Sequence, residues 1–515
     1  MKRSRQPVEI DMAELRRALD RARQEPIGEA DYLKLKVALD VLDERLRPTR
    51  TTEKTRTVVE QPKPADNAGT PADHAESPAS KGHGRIGAGA YVGARKVVIR
   101  AKLASGDACP ECTRGRVYTQ RQPKTLVRVV GQAPVEATVY EMERLRCNAC
   151  GQVFTAEEPE GIGPDKYDAS AIAMIAQLKY GTGMPFTRLE RMERQIGIPL
   201  PAATQWELVE QTAAMLKPAF DQLIWQAAQG EVLHNDDTSM LILQLAREPS
   251  DKRTGIFTSG IVSLWQDHKI ALFFTGRQHA GENLADLLKH RAGEIRSPIQ
   301  MCDALSRNTP KLTNGVQILL ANCIAHGRRQ FVDVAANFPQ ECGYVLETLG
   351  MVYGNDALAR EQGLDAETRL RFHQQYSGPL MDQLHGWLEE QLAEAKTEPN
   401  SGLGKAISYL LNHWQPLTLF LREKGAPLDN NLCERALKKA ILNRKNALFY
   451  KTPHGAMVGD LFMSLIHTCE LNGVNSFHYL IELQRHSAEV KHAPADWMPW
   501  NYRETLLRMK SPAAA

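Results

Sequence analysis

Residues 255–276 have the sequence GIFTSGIVSLWQDHKIALFFTG, and this stretch decides the fold. It contains two runs rich in β-branched and aromatic residues, 255–264 and 269–275, and the second is nearly continuous in apolar side chains. Residues of these types fit the pleated, half-buried surface of a sheet. The stretch therefore predicts two neighbouring β-strands.

The flanking sequence extends this prediction into a mixed sheet. A short apolar run at 231–236 precedes the two strands, and a helical segment at 282–290 follows them. Apolar runs at 298–302 and 316–323 predict two more strands, the last leading into a basic helix. The order β-β-β-α-β-β-α predicts three meandering strands, a crossover and two further strands in an α/β core.

Three acids stand where such a core would carry chemistry. Asp236 and Asp303 each end a predicted strand, and ligand sites in α/β sheets lie at strand ends. Glu434 lies near the start of a later helix, for which Asp429 or Asn430 is the expected N-cap. Each acid alone is more commonly a turn or helix-start residue. The prediction of a site therefore rests on all three together.

Basic residues accompany the third acid. Between 429 and 451, six Lys or Arg stand against two acids, a local net charge of +4 by that count. Glu434 and Lys438 are four residues apart and share a helical face. A second basic group follows the last predicted strand. The residues predicted to contact phosphates or the scissile strand are His326, Arg328, Arg329, Arg435, Lys438, Arg444 and Lys445.

These residue types suit phosphodiester chemistry. Attack on a phosphodiester needs an activated oxygen nucleophile and a stabilised leaving oxygen, and two divalent ions about 4 Å apart between hard carboxylates serve both. Arg and Lys hold phosphates and offset the charge of the transition state. The prediction is a two-metal site for Mg²⁺ or Mn²⁺ with Asp236, Asp303 and Glu434 as ligands.

A different metal is predicted nearer the N-terminus. Four of the nine cysteines form two Cys-x-x-Cys pairs, Cys109 with Cys112 and Cys147 with Cys150. Four thiolates in two such pairs favour structural Zn²⁺ in a zinc ribbon, where the metal supplies folding energy; a redox pair or chance pairing is the alternative. Runs at 125–130 and 136–140 predict two strands between the pairs.

The first 47 residues are charged, with Leu35, Leu39, Leu42 and Leu46 at the spacing of a helical seam. They predict either a short dimerising coiled coil or one arm of a helical hairpin. Residues 48–90 contain almost no large apolar side chain and predict a flexible linker. Residues 168–228 are predicted to be helical. Two segments there, 186–195 and 203–213, flank a Gly/Pro turn and predict a helix-turn-helix, either DNA-binding or simply packed.

Composition limits the class of protein. A chain of 515 residues is too long for one ordinary core, and 43% hydrophobic residues are typical of globular proteins. The net charge of +3 means that any nucleic-acid-binding surface must be local. With no signal-peptide core and no long apolar run, the sequence predicts a cytoplasmic protein.

From about residue 80 onward the chain resembles the IS-sixty-six-type insertion-sequence transposases, the large TnpC-like subunit. The strongest match runs from 429 to 455, with paired Asn, Glu434-Arg435, Arg444-Lys445-Asn446 and an aromatic. Residues 233–238 are similar to the family's Asp-Glu-Thr segment, and 323–329 to its His-x-Arg-Arg segment. The double Cys-x-x-Cys and the segments 469–474 and 497–500 match as well.

This resemblance implies a DDE recombinase with a ribonuclease H-like core. It implies that Asp236 is the first acid, that Asp303 follows the fourth strand and that Glu434 lies on a later helix. Asp237 stands where the family has Glu; because strand side chains alternate in direction, only one of the adjacent acids can be a ligand. The family's aromatic soon after the second acid is absent here. The step of 434 − 303 = 131 residues implies a helical insertion.

The predicted function is that of a bacterial DNA transposase, nucleoid-associated when bound, which cleaves insertion-sequence ends and transfers the 3′-hydroxyl into target DNA. Expected partners are terminal inverted repeats, target DNA, further copies of the chain and element-encoded helper proteins, with no membrane. An inactive DNA-binding regulator, or a nuclease that cannot join strands, is the alternative. The predicted divisions are the arm 1–47, linker 48–90, zinc ribbon 91–160, helix-turn-helix region 161–229, core 230–337, helical insertion 338–424, second core part 425–485 and tail 486–515.

Overall fold

The computed structural model describes residues 96–99 and 102–510, apart from 113, 119, 121–124, 127–132, 147, 149, 151, 162, 164, 246–252, 254 and 313–314. The predicted N-terminal arm and linker lie outside the described residues. The chain forms two compact units. One is Ile324–Lys424; the other contains the described residues up to Cys323 and those from Gly425 onward.

A five-stranded mixed sheet lies at the centre of the second unit. Its strands are β3 Val232–Ser239, β4 Phe257–Trp265, β5 His268–Gly276, β6 Ile299–Cys302 and β7 Leu319–Asn322. Their order across the sheet is β5-β4-β3-β6-β7; β3, β4 and β5 are antiparallel neighbours, whereas β6 and β7 run parallel to β3. The predicted order β-β-β-α-β-β-α is confirmed, with the single helix between β5 and β6 being α4, Ala280–Leu288.

Helices from both ends of the chain enclose this sheet. Those before β3 are α1 Ala169–Ala176, continued by a π-helical turn Gln177–Gly181, α2 Phe186–Gln195 and α3 Ala202–Ala228. Those after Gly425 are α11 Asn431–Ala447, α12 Pro453–Leu471, α13 Ser476–Arg485, α14 Ser487–His492 and α15 Tyr502–Lys510. The segment predicted as a tail thus forms two helices.

One hydrophobic core joins these helices to the sheet. It contains Leu223 of α3, Ile261 and Phe273 of the strands, Phe462 of α12 and Trp497 near the C-terminus, each at most 1% exposed. The second helix of the predicted helix-turn-helix is therefore much longer than 203–213 and is buried along one side of its length. Helix α3 packs on the sheet as a structural element, and DNA contact by this region stays a prediction.

Helix α12 covers the outer edge of the sheet with a row of polar side chains. Every fourth residue along α12 and its C-cap accepts a hydrogen bond from every second amide of β5, because about 6 Å of helix matches about 6.8 Å of strand. The pairs are Asp460 Oδ2 with Thr275 N at 2.6 Å, Ser464 Oγ with Phe273 N at 3.0 Å, Thr468 Oγ1 with Ala271 N at 3.0 Å and Asn472 Oδ1 with Lys269 N at 3.1 Å.

The other unit is helical. Its helices are α5 Ile324–Val334, α6 Pro339–Glu361, α7 Ala366–Tyr376, α8 Gly378–Ala393, α9 Gly402–Asn412 and the short α10 Trp414–Leu417. Asp356 of α6 is buried and holds Arg369 and His373 of α7 by hydrogen bonds. The helical content predicted between the second and third acids is therefore present.

The cysteine-containing region has little regular structure. Its strands β1 Arg144–Arg146 and β2 Val153–Thr155 pair in an antiparallel hairpin, and Cys150 lies in the sequence between them. The strand predicted at 136–140 is wrong: those residues are irregular and lie before the hairpin. Of the strand predicted at 125–130, Thr125 and Leu126 are not in a strand and 127–130 lie outside the described residues.

Among the helices that the structure describes, none is both long and apolar enough to cross a membrane.

Candidate active site

Helix α11 lies along one face of β3. At its start, Asn430 Oδ1 is 3.0 Å from His234 Nδ1. At its end, Arg444 Nη1 donates to Thr238 Oγ1 at 3.1 Å. Residues 234, 236 and 238 point to the same face, since strand side chains alternate. Asp236 therefore points toward α11, between the two contacts.

Close packing in the middle of this pair fixes the separation of helix and sheet. Gly260 is the β4 partner of Asp236. A Cβ atom at Gly260 would lie 3.0 Å from Leu437 Cδ2 and 3.5 Å from Cys433 Sγ. The thiol of Cys433 donates to the Gly260 carbonyl at 3.3 Å. The turn of α11 that carries Glu434 thus crosses the sheet at the level of Asp236.

Asn430 fastens the start of α11 to the strand. Its side chain makes no capping bond to the helix. Instead, its Nδ2 donates to the Asn235 carbonyl at 3.1 Å while its Oδ1 meets His234. Asp429, the other expected N-cap, accepts from the Asn431 amide at 3.1 Å. The start of α11 is therefore positioned by β3, because the Asn430 side chain bonds to residues of β3 instead of capping the helix.

The sequence predicted that Asp236 ends its strand, and this prediction is wrong. Strand β3 continues to Ser239, because β4 pairs with it over its whole length. On the other side β6 pairs only with residues 232–234, so Asp236 lies just beyond the last β6 contact. Asp303 follows β6 directly. The two acids consequently lie at the same place in the sheet, where β3 and β6 diverge.

A single amide joins the two carboxylates. Asn308 Nδ2 donates to Asp236 Oδ1 at 3.2 Å and also to Asp303 Oδ1. Asn308 is fully buried at the end of a 3₁₀ turn, Ser306–Asn308. Asp303 Oδ1 accepts a further bond from the Leu305 amide at 3.2 Å. The turn after β6 thus folds back and sets both side chains.

Buried amides hold Asn308 in turn. Its carbonyl accepts from Asn235 Nδ2 at 2.8 Å and from Gln300 Nε2 at 2.7 Å. Gln300 Nε2 also donates to Asn235 Oδ1 at 2.8 Å. All three residues are fully buried, and the Asn235 and Gln300 side chains fix the Asn308 backbone, so the amide that bridges the carboxylates is held in place before any ligand arrives.

The electrostatic state of Asp236 is unusual. Burial, and next the negative charge of Asp303, raise the pKa of Asp236 to about 7, against the lowering effect of its hydrogen bonds. A proton on Asp236 relieves its repulsion by Asp303 below that pKa, and a bound cation would relieve the repulsion when both acids are ionised. Hard oxygen donors in this arrangement fit Mg²⁺ or Mn²⁺.

Asp237 faces the opposite side of the sheet. His279, at the start of α4, lies with Nδ1 2.8 Å from Asp237 Oδ2, and Arg307 Nη2 lies 3.3 Å from its Oδ1. The Asp237 side chain is 2% exposed. Asp236 and Asp237 therefore point to opposite faces of the sheet, as strand alternation predicts. Asp236 is the acid that faces α11, and it accepts a hydrogen bond from Asn308, which also donates to Asp303.

The basic residues of α11 are divided by exposure. Arg435, Lys438 and Lys445 are exposed, whereas Arg444 is partly buried and held at Ser239 by its hydroxyl at 2.7 Å. Glu434 is partly buried in the first turn. The exposed cations are available to an approaching anion, and Arg444 is anchored to the strand. His326, Arg328 and Arg329 lie on α5 of the helical unit.

The first cysteine pair lies in a tight turn. Cys109 N donates to the Gly115 carbonyl at 2.8 Å, and Arg114 N donates to the Cys112 carbonyl at 2.7 Å. Backbone amides directed at Cys112, chiefly that of Gly115, lower the pKa of its thiol. Cys150 follows the β1 strand, and Cys147 lies outside the described residues. The described part has the turn geometry and thiolate stabilisation that suit a metal-binding knuckle.

Sequence reasoning missed the residues that position the acids. Asn308 lies in a short turn with no motif or periodicity, so nothing local marked it. Asn430 had a signal, the paired Asn before Glu434, but it suggested a helix cap rather than a bond to His234. Gly260 sits inside a strand, where a glycine often marks close approach of another element.

The chain is 27% identical over 388 residues to uncharacterized protein y4hP of Sinorhizobium fredii, covering 70% of this chain and 67% of that protein. It is also 27% identical over 374 residues to uncharacterized protein y4jD of the same organism, covering 70% and 71%. The family model described as Transposase IS66 family matches residues 166–458, more than half of the chain and all three acids. The chain therefore belongs to the IS66 transposase family.

Proposed function

We propose that the chain is a DDE-type DNA transposase that cuts the ends of its insertion sequence and joins the freed 3′-hydroxyl to target DNA. The observation that carries this proposal is the bridge from Asn308 to both Asp236 and Asp303. The strand order, three antiparallel strands followed by two parallel ones, supports a ribonuclease H-like core.

Asp236, Asp303 and Glu434 are the residues that would hold Mg²⁺ or Mn²⁺. When bound, such an ion supplies activation of the attacking oxygen and stabilisation of the leaving oxygen. The buried amides Asn235, Gln300 and Asn308 keep the carboxylates in place, so little reorganisation is needed when DNA binds. Without them, repulsion would separate the two aspartates.

The cations of α11 have a different task. Arg435, Lys438 and Lys445 are exposed and bind the phosphates on either side of the scissile bond. Arg444, anchored at Thr238 and Ser239, keeps the end of the helix in register with β3. The basic residues His326, Arg328 and Arg329 of α5 add phosphate contacts. Homo-oligomers on paired ends, with helper proteins, would assemble the active complex.

The cysteine region completes the proposal. Cys109, Cys112, Cys147 and Cys150 hold structural Zn²⁺, and the resulting ribbon, with the helices before the sheet, contacts the terminal repeats. Zinc content measured on the purified chain, and its loss in a Cys112→Ser variant, test this part independently of cleavage.

The test of catalysis uses labelled element-end DNA with Mg²⁺ or Mn²⁺, comparing the intact chain with Glu434→Gln. Glu504→Gln, which changes an exposed first-turn glutamate of α15, is the matched control. We expect the control to cut and Glu434→Gln to bind without cutting. Equal cutting by both variants would contradict the assignment of Glu434. Cutting without joining would favour a nuclease, and binding without cutting by the intact chain would favour a regulator.

A further inference from the structure

A large cavity lies beyond the C-terminal end of α11. Its volume is about 1070 Å³, at the upper end of the range for small-molecule sites. Phe186 at the start of α2 and Trp206 in the first turns of α3 form one wall. Phe449 and Tyr450, which follow α11, form the other. The walls thus offer several aromatic surfaces.

The cavity is also positively charged. Lys179, Arg188, Arg191 and Lys451 line it, against the single acid Glu210. Glu210 is itself paired with His454, whose Nε2 lies 2.8 Å from its Oε1. Four cations against one paired acid favour an anionic occupant over a neutral or basic one.

Lys179 is the most deeply placed of these cations. It is only 8% exposed, its Nζ lies 3.1 Å from Asn443 Oδ1, and it lies 5.4 Å from the centre of the Phe186 ring. Burial lowers the pKa of Lys179 to about 8. A buried ammonium held by an amide and an aromatic ring retains electrostatic attraction for a phosphate that enters the cavity.

An exposed apolar residue stands at the mouth. Leu448 has φ 69° and ψ −42°, and the Phe449 amide bonds back to the Ala447 carbonyl at 2.9 Å. This is a γ-turn with positive central φ, a strained conformation for leucine. It leaves the Leu448 side chain 65% exposed and Phe449 41% exposed. Apolar side chains projecting beside cations are the means by which proteins separate stacked bases.

The cavity lies beyond the C-terminal ends of β3 and α11, the strand and helix that carry Asp236 and Glu434. After β3 the chain pairs again with the segment after α11, where Leu243 N meets the Tyr450 carbonyl at 3.0 Å and Gln244 N meets the Lys451 carbonyl at 3.0 Å. From Glu434 to Ala447 the helix rises about 20 Å. One DNA strand can therefore reach both places, because about 20 Å spans roughly six base steps.

From this arrangement we infer that the cavity takes one unstacked nucleotide of the bound DNA, with Leu448 and Phe449 opening the stack. The base lies against Trp206 and Phe449, and its phosphate meets Arg188, Arg191 and Lys451. This inference rests on the proposed function, since it requires that DNA is the substrate. A peptide from a partner protein would fit the aromatic walls but would gain nothing from four cations unless it were acidic.

The experiment measures the dissociation constants of the chain for DNA duplexes at fixed salt without divalent metal. One duplex is perfectly paired. The others form a series in which each carries a single unpaired thymidine at a different position. Unstacking costs a few kcal/mol in a paired duplex and much less for an unpaired base. We therefore expect the unpaired thymidine to strengthen binding by about tenfold at its best position.

Two variants locate this preference. Trp206→Ala and Phe449→Ala should bring the ratio of the two constants close to one, whereas Trp206→Phe should keep most of it. Trp225→Ala is the matched control, because Trp225 lies on the same helix, is 49% exposed and does not line the cavity. Unchanged melting temperatures show that the variants fold.

The outcomes separate this inference from the proposed function. Tight binding of both duplexes with equal constants overturns the inference alone. A preference that survives in both Trp206→Ala and Phe449→Ala overturns the cavity as its location. Failure to bind either duplex overturns the proposed function and the inference together. A preference lost in the cavity variants, in a chain that does not cleave with metal, supports the cavity and contradicts the proposed chemistry.

Discussion

Asp236 lies in the sheet and Asp460 contacts the edge of that sheet from α12, and each has its pKa raised to about 7, chiefly by burial. Their surroundings differ. Asp460 receives hydrogen bonds from the amide and hydroxyl of Thr275 and faces no second acid in these contacts. Asp236 shares one donor, Asn308, with Asp303, whose charge raises its pKa further. A raised pKa therefore does not distinguish a structural acid from a candidate ligand; the neighbouring charge does.

The largest effect should come from removing the charge of Asp236. Asp236→Asn keeps the shape of the side chain but removes the charge of a proposed metal ligand, so we expect cleavage to fall by about 10³-fold or more. Asp237→Asn is the matched control on the opposite face and should cost much less. Rates of nicking of labelled end DNA measure both. Equal losses would contradict the separation of the two acids by strand alternation.

The next effect concerns the shared donor. Asn308→Ala removes the only side-chain amide that contacts both Asp236 and Asp303 in the described residues, so the carboxylates should separate. Residues that orient ligands commonly contribute 10- to 100-fold, and we expect cleavage to fall by about that factor. Titration of Mn²⁺ against the rate should show a higher requirement for metal. A variant with wild-type metal dependence would show that Asn308 does not position the acids.

Asp460 should govern stability rather than activity. Between about pH 4 and pH 7 the folded chain holds a proton on Asp460 that the unfolded chain has released, so the free energy of unfolding falls as pH rises through this window. The total loss is on the order of 2–4 kcal/mol. Asp460→Asn should remove this loss and be the more stable protein at pH 8. Denaturant unfolding at pH 5 and pH 8 measures it.

The control for that experiment is Asp382→Asn, which changes an exposed aspartate of α8. It should leave the pH dependence as it is in the unchanged chain. If Asp460→Asn shows the same slope as this control, Asp460 is ionised in the folded protein throughout the window, and the comparison with Asp236 fails.

The smallest effect tests the row of acceptors on β5. Ser464→Ala leaves the buried Phe273 amide without its acceptor and should cost about 1–3 kcal/mol. Asn472→Ala, at the exposed end of the row, should cost less because water can replace the bond to Lys269. Unfolding free energies of the two variants check the order. Equal losses of unfolding free energy in the two variants would show that burial does not determine how much these hydrogen bonds stabilise the fold.

The sequence was sufficient to locate β4 and β5 of the central sheet. The runs at 255–264 and 269–275 differ from β4 and β5 by one or two residues at each end, because β-rich composition and buried pairing coincide there. It failed between the cysteine pairs, where 136–140 has strand-like residues but pairs with no strand among the described residues. A segment becomes a strand only when its backbone pairs with a neighbouring strand, and the composition of one segment does not show whether such a neighbour exists.

In the candidate site, the sequence marked the acids but not the residues that position them. Asp303 and Asp236 were marked by their places beside strands, but the Asn308 bridge depends on how the turn after β6 folds back, which no local pattern encodes. The row of acceptors on α12 did have a signal, polar residues at every fourth position of a largely apolar helix. It is recognisable once the matching spacing of a strand is considered.

The covered edge of the sheet has a consequence for assembly. Four amides of β5 already donate to α12, so no incoming strand can bind them, and the sheet cannot be extended from that side by another polypeptide. In the proposed function several copies of the chain meet on DNA, where an open sheet edge would favour pairing between the sheets of neighbouring copies. Copies that meet on this side must recognise each other through the outer surfaces of helices, which can part again when the reaction is over.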